Sequence, residues 1–220
     1  MTALAIATAT ARVSVAIGSP GDVVGVIDLE QGRRHGETLA PAIEALTRLT
    51  GTGLAEVEQI ALDAGPGLFT GLRVGVATAK ALGSALNIPV VPCSSLEILA
   101  HPHRRAGRPI AAVVDARRGE VFWCLFKPTG DEVVAVTEPA VARPEEVVGA
   151  LGAEPGVLAT GDGARRYLAG SAVEVAPAEF DHPSARVLLE LAAGRPALPA
   201  EKVIPTYLRD ADVRIGWEQV

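Results

Sequence analysis

The residues best suited to chemistry lie between a short apolar strand and a helix, where two glycines flank a proline and a third glycine follows. Gly65, Gly67 and Gly71 form the pattern GxGxxxG, and Thr70 stands where its hydroxyl would cap the following helix. Free N–H groups at a helix N-terminus attract anions, so phosphate could bind at Gly67 and Thr70. However, the glycine spacing is not that of a dinucleotide site, GxxxxGK[ST] is absent, and Pro66 removes one N–H. The pattern therefore favours a tight strand-to-helix turn over a phosphate site.

Histidines and cysteines do not form a recognisable metal site in the sequence. The four histidines give neither HxxxH nor HExxH, and His101 and His103 lie in a polar segment where solvated side chains are expected. Cys93 and Cys124 lie in apolar surroundings without CxxC spacing, which is typical of small core residues in a reducing compartment. We predict no metal site.

Nucleophiles and carboxylates are equally isolated. Ser94 and Ser95 begin a predicted helix, where a capping role explains them, and no GxSxG motif is present. Asp63 and Asp115 follow apolar strands, at positions where acidic ligands often lie. Two separate carboxylates do not make a catalytic site, so we predict no catalytic residue.

The helix after the glycine-rich turn has an unusual face. Gly71, Gly75, Ala79 and Gly83 are spaced four apart, so they share one side of the helix. Each glycine costs the helix about 1 kcal/mol relative to alanine, which indicates that something packs closely against this side. A ligand, the core of the chain itself or another protein would each satisfy the pattern.

The order of predicted elements indicates a mixed α/β protein with two lobes. Strands are predicted at 4–8, 12–18, 23–29, 60–62 and 88–91, with helices around Leu39 to Leu49, after Thr70 and after Ser94. The polar segment 101–109 separates lobes at 1–105 and 106–220, and the last residues could return to the first lobe. Strands at 110–115, 120–127 and 132–137 then restart the pattern, followed by helices near 143–151, 163–169 and 184–193. This repetition suggests a duplicated unit.

Composition narrows the class of protein. The 220 residues have a net charge of −6, with 49% hydrophobic and 21% charged residues. Lys and Arg are scattered along the sequence, so no basic footprint for direct nucleic-acid binding is predicted. No run of about 18 apolar residues is present, and we expect a cytoplasmic protein without a membrane segment.

Several stretches resemble one known family. The run 65–80, GPGLFTGLRVGVATAK, resembles the GPGSFTGLRIGVATAKG signature of the TsaB family. The opening at 4–10, His35 with Leu39 to Pro41, the run VDARRGEV at 114–121 and PTYLR at 205–209 resemble further family motifs. These matches extend over the whole chain.

The resemblance implies a two-lobed actin-like ATPase fold (ASKHA, ribonuclease-H-like) with mixed sheets and helical cover. It also implies a non-catalytic scaffolding subunit of the complex that transfers a threonylcarbamoyl group to N6 of adenosine 37 in tRNA. The expected partners are a metal-bearing TsaD-like catalytic subunit and a TsaE-like ATPase, with tRNA reached only through the complex and a homodimer formed when the chain is alone. No intrinsic cofactor is expected, although ATP or ADP could lie at the shared interface. The family contact surface would carry Leu39, Ile43, Leu46, Gly71, Gly75, Ala79 and Gly83.

One position departs from the family pattern. Ala7 stands where the opening strand usually carries an acidic residue, which in actin-like ATPases helps to hold a hydrated metal beside the nucleotide phosphates. Alanine cannot coordinate a cation, so independent ATP hydrolysis is disfavoured. Asp115 in the second lobe stays a candidate anion or nucleotide contact, together with Gly67 and Thr70. A stand-alone ATPase or small-molecule kinase is the main alternative, and a peptidase is a remote one.

Overall fold

Two mixed sheets with the same strand order form the framework of the molecule. The computed structural model describes residues 1–30, 32 and 34–209. The first sheet has the order β3-β2-β1-β4-β5. Its strands are β1 (Ala3–Ala7), β2 (Arg12–Ser19), β3 (Asp22–Glu30), β4 (Gln59–Asp63) and β5 (Val90–Cys93). β1 pairs antiparallel with β2 and parallel with β4, and every residue of β1 and β4 is buried.

The second sheet repeats this arrangement. Its path is β8-β7-β6-β10-β11, and β9 pairs with β7 beside that path. The strands are β6 (Ile110–Arg117), β7 (Glu120–Thr129), β8 (Glu132–Ala135), β9 (Ala140–Ala142), β10 (Leu158–Thr160) and β11 (Glu174–Val175). β6 has an antiparallel neighbour on one side and a parallel neighbour on the other, as β1 has. This confirms the two-lobed actin-like fold class; the short β9 was not predicted.

Helices cover the sheets, and the second half of the chain serves both lobes. The helices are α1 (His35–Thr50), α2 (Phe69–Leu86), α3 (Ser95–Ala100), α4 (Pro144–Leu151), α5 (Asp162–Tyr167) and α6 (Ala185–Leu191). Although α6 comes late in the sequence, its side chains pack in the core of the first sheet, and Leu198 forms a bridge with Val90. The predicted second lobe, 106–220, ends in residues 210–220, which lie outside the described part. Within that part, no helix combines the length and the apolar character needed to cross a bilayer.

Helix α2 begins at Phe69, so the prediction that Thr70 is its N-cap is wrong. The preceding residue, Leu68, donates its N–H to the carbonyl of Ala9 at 2.6 Å, and Thr70 makes no capping bond. A Cβ on Gly67 would lie 2.2 Å from the Ala9 oxygen. The glycine-rich turn therefore packs against the turn between β1 and β2, which accounts for its small residues.

The small residues of α2 face the chain's own sheet. A Cβ on Gly71 would lie 2.0 Å from the Thr8 oxygen, and one on Gly75 would lie 2.3 Å from the Thr8 hydroxyl. A Cβ on Gly83 would lie 2.8 Å from Ala200 Cβ. The other residues predicted at the partner surface are also inside the core: Leu39, Ile43, Leu46 and Ala79. This side of α2 is internal packing, which corrects the prediction that it contacts another protein.

Internal packing predicts a specific effect on stability. Gly71→Ala should lower the free energy of unfolding by about 1–3 kcal/mol, because the added methyl overlaps the Thr8 backbone. Gly36→Ala in α1 is the matched control, since its Cβ would meet only Val74 Cγ2, at 3.9 Å. Urea denaturation of both variants gives the comparison. A Gly71→Ala protein as stable as wild type but unable to bind its partner would restore the partner interpretation.

Candidate functional site at the mouth of the cleft

The outer side of α2 carries a second row of small residues. Ala77, Ala81 and Ala85 are spaced four apart and exposed, and Arg73 and Ser84 border them. The neighbouring helix α1 exposes Glu37, Ala40, Pro41, Glu44 and Arg48. The four-residue spacing of these alanines was visible in the sequence, but only the structure shows which row is exposed. A partner helix could approach this face closely because no long side chain projects from the alanines.

An exposed aromatic pair lies at the start of the same helix. The rings of Phe69 and Tyr207 are 5.3 Å apart, and the Arg73 guanidinium lies 3.8 Å from the centre of the Phe69 ring. Ile204, three residues before Tyr207 in the sequence, is 74% exposed. Lys80 of α2 donates to the carbonyls of Glu201 and Val203, which fixes the approach of this segment to the helix.

Residues 204–209, here named the C-terminal strap, connect the two lobes. Thr206 donates its N–H to the Ala64 carbonyl of the first lobe at 2.7 Å. Arg209 donates to the Ala116 carbonyl of the second lobe at 3.2 Å and pairs with Glu120. The strap is therefore bonded both beside the glycine-rich turn that precedes α2 and at the turn between β6 and β7, and the region formed by these three segments is named the cleft mouth.

Asp115 lies in this mouth as the centre of a charged cluster. Its Oδ2 accepts from Arg117 Nη1 and from Arg166 Nη1, each at 3.1 Å. Its Oδ1 accepts from the Arg117 backbone N–H at 2.8 Å and from the Tyr167 hydroxyl at 3.3 Å. Asp115 is 3% exposed, so this predicted anion contact is itself a buried anion that positions two arginines.

The turn between β6 and β7 has a strained backbone. Arg117 and Arg118 have φ values of 64° and 58°, followed by Gly119 at 77°. A left-handed conformation costs a residue with a Cβ about 1–2 kcal/mol. Asn-Gly is the usual choice for a two-residue hairpin turn; Arg118 takes the asparagine position here, and Arg117 lies at the irregular end of β6.

Asp63 and Ser95 form a sealed pair inside the first lobe. Ser95 donates its hydroxyl to Asp63 Oδ1 at 2.5 Å, and Gly65 donates its N–H to the same oxygen at 3.2 Å. Both side chains are fully buried, and Oδ2 has no hydrogen-bond partner. Burial raises the pKa of Asp63 to about 6, although the Ser95 hydrogen bond opposes the shift. Ser95 thus binds an internal acid rather than capping α3, and no sequence motif pointed to this pair.

The histidines are structural residues rather than the solvated residues expected from the sequence. His35 donates from Nε2 to the Thr10 carbonyl at 2.7 Å, and His182 Nδ1 is hydrogen-bonded to the Thr10 hydroxyl at 3.0 Å. His101 and His103 are buried in a short 3₁₀ helix, where His103 contacts Thr160 and Phe180 and His101 lies near Glu190 of α6. Within the described residues, no group of three or more His, Cys, Asp or Glu side chains could hold a metal ion.

Comparison with known proteins decides the family. The family model described as TsaD, tRNA N6-adenosine threonylcarbamoyltransferase, matches residues 17–217. The tRNA threonylcarbamoyladenosine biosynthesis protein TsaB of Haemophilus influenzae is 27% identical over 100% of this chain and 97% of that protein. The chain belongs to the TsaB family. TsaB of Escherichia coli is 31% identical, with 65% of each protein covered. The solved structure of YeaZ from Pseudomonas aeruginosa is 31% identical, covers 94% of this chain and 99% of that one, and gives a TM-score of 0.81.

Three of the stretches that resemble TsaB motifs are connected in this structure. The run 65–80 forms the glycine-rich turn and most of α2, the run 114–121 forms the turn between β6 and β7, and 205–209 lies in the strap. Tyr207 contacts Phe69, and Arg209 bonds to Ala116, so the strap joins the other two stretches. Of the predicted anion contacts, Gly67 packs on Ala9 and Thr70 is exposed. Three of the five stretches that resemble family motifs therefore meet at the cleft mouth.

The buried carboxyl of Asp63 predicts a dependence of stability on pH. Its pKa is about 6 in the folded chain and near 3.8 when unfolded, so folding favours the protonated form. This contribution to the free energy of unfolding is fully present below pH 4. It is lost as the pH rises through 6, and the total loss is about 3 kcal/mol. Asparagine does not ionise, so the free energy of unfolding of Asp63→Asn minus that of wild type should increase by a similar amount between pH 4 and pH 7.

Urea denaturation at both pH values tests this prediction, with Asp22→Asn at the exposed turn between β2 and β3 as the control. Burial also raises the pKa of Asp162 to about 6, so part of the pH dependence should persist in every variant. Identical pH profiles for Asp63→Asn and wild type would contradict the assignment.

Proposed function

We propose that this protein is a non-catalytic subunit of the cytoplasmic complex that adds a threonylcarbamoyl group to N6 of adenosine 37 in tRNA. The observation that carries the proposal is the similarity to TsaB proteins along the whole chain. A TsaD-type catalytic subunit is the partner that the matched family model supports. A TsaE-type ATPase is proposed as the third member, and tRNA is proposed to be modified only in the assembled complex.

Three features support a scaffolding role rather than catalysis. Ala7, at the end of β1, offers no carboxylate to a metal, and the strap is bonded to both lobes, which holds them in one arrangement. Ser95, paired with Asp63, is fully buried and so cannot meet a peptide substrate, which counts against a peptidase. If ATP or ADP binds, we propose that it lies at the interface with the catalytic partner.

The outer side of α2 is the proposed contact surface. It exposes the row of Ala77, Ala81 and Ala85, and the aromatic pair Phe69 and Tyr207 adds apolar area at one end. An exposed apolar surface of this kind is typical of a site that binds another protein. We propose that the same face pairs two copies of the chain when the partner is absent.

Reconstitution tests the proposed function directly. Threonylcarbamoyl transfer to tRNA should be lost when this protein is omitted from the purified components and should return when it is added. The chain alone with Mg-ATP is the control, and it should show no ATP turnover. Full modification without this protein would contradict the proposal, whereas ATP turnover by the chain alone would favour the stand-alone ATPase.

A substitution on the exposed row tests the contact surface. Ala77→Arg should weaken binding to the catalytic partner at least tenfold, because a long charged side chain would prevent close approach of the facing helix. Ala150→Arg, at an exposed position of α4 in the second lobe, is the matched control and should bind normally. Titration calorimetry measures both affinities, and unfolding curves check that both variants are folded. Wild-type affinity for Ala77→Arg would place the contact elsewhere.

A further inference from the structure

We propose that the turn between β6 and β7 is a docking point for the sugar–phosphate backbone of RNA, with Arg117 and Arg166 as its phosphate ligands. The inference rests on the proposed function and deepens it, because it gives the tRNA a direct contact with this chain. It also replaces the expectation that tRNA is reached only through the partner. Arg117 and Arg166 are named the arginine pair below.

The buried carboxylate of Asp115 prepares the arginine pair for a ligand. Both guanidiniums donate one amino group, Nη1, to the same Oδ2, so they lie side by side. Their side chains are 47% and 57% exposed, whereas Asp115 is 3% exposed. A guanidinium has five N–H donors, and among the described residues neither arginine meets a second carboxylate. Donors of both arginines are therefore available to one external anion.

The charge around the arginine pair favours an anionic ligand. Asp115 lies beneath the two guanidiniums, and the adjacent Asp162 directs its Oδ1 to the Asp115 backbone N–H rather than outward. The other acid of the turn, Glu120, pairs with Arg209 of the strap. Two cations thus face solvent above one buried anion. The fold brings together two of the scattered arginines, because Arg117 lies on β6 and Arg166 on α5.

The chemistry of the pair fits a phosphate backbone. Guanidinium groups match phosphate oxygens with two parallel donors, which a lysine cannot do. Arg166 also lies over the Tyr167 ring, 5.2 Å from its centre, and this contact orders its long side chain. The left-handed backbone at Arg117 and Arg118 is a cost that asparagine or glycine would avoid. A site that binds phosphates gives a reason to keep arginine there.

The position of the arginine pair relative to the proposed contact surface also favours RNA. The strap joins the two regions, because Tyr207 packs against Phe69 at the start of α2 and Arg209 donates to the carbonyl of Ala116, next to Arg117. A catalytic partner on α2 would therefore be joined through the strap to the turn between β6 and β7, and the tRNA of that partner is proposed to lie along this side of the chain. Non-specific backbone contacts of this kind add affinity without reading sequence.

The test uses the complete complex and fluorescently labelled tRNA. Replacing both members, Arg117→Gln with Arg166→Gln, should weaken tRNA binding about tenfold at 0.1 M salt. The slope of log affinity against log salt should fall in magnitude by about one to two, because two phosphate contacts are lost. KM for tRNA should rise while kcat changes little.

Arg105→Gln with Arg108→Gln is the matched control. It removes two positive charges, as the test variant does, but before the start of β6, where Arg105 and Arg108 pair with Asp131 and Glu174. The affinity for tRNA and the salt slope should therefore stay unchanged. The single variant Arg166→Gln keeps the Arg117–Asp115 pair, so it provides the test if the double variant does not fold. It should show about half of the change in slope.

Two outcomes would overturn the inference. The first is a folded double variant whose tRNA affinity and salt slope equal those of wild type. The second is weaker pairing with the catalytic subunit in the absence of RNA, which would assign the arginine pair to a protein contact. Failure of the proposed function is distinct, because modification would then proceed without this chain.

Discussion

The close approach of α2 to the end of β1 is the contact on which the rest of the molecule depends. Thr8 donates its hydroxyl to the Gly71 carbonyl at 2.8 Å, and its own carbonyl occupies the space where a Gly71 Cβ would be. β1 is the central strand of the first sheet, so this contact sets both the distance and the rotation of α2 over the core. The rotation in turn decides which side of α2 is exposed and where Phe69 meets the strap.

The polar groups in the interior of the molecule are buried and hydrogen-bonded, which makes the interior rigid. Asp63 binds Ser95 in a fully buried pair, and Thr10 is held by two histidines that come from opposite halves of the sequence. In a packed interior, such polar contacts favour one arrangement over its alternatives because an unpaired group would be costly. A rigid body with a fixed outer surface is what a scaffolding subunit requires. The strap adds to this rigidity because it is bonded to both lobes.

Most of the fold could be predicted from the sequence, but which side of each helix is buried and which is exposed could not. Short β-branched runs bounded by turn residues located the strands to within a few residues, and the restart at Ile110 revealed the second sheet. The spacing of Gly71 and Gly75 showed that they share a side of α2, but the alanines at 77, 81 and 85 have the same spacing on the other side. Only contacts between distant residues distinguish the two rows. The pairing of Asp115 with Arg166 was invisible for the same reason, since 51 positions separate them.

An acidic chain can still present a site for a polyanion, because net charge and local charge are different quantities. The net charge of −6 is spread over the whole surface. At physiological ionic strength, interactions between exposed charges are largely screened beyond about 8 Å. A phosphate at Arg117 and Arg166 would therefore respond mainly to these two guanidiniums and to the carboxylate beneath them. Because Asp115 already orders both side chains, binding costs less conformational entropy than it would with two free arginines. The sum of charges in the sequence therefore could not exclude an RNA contact.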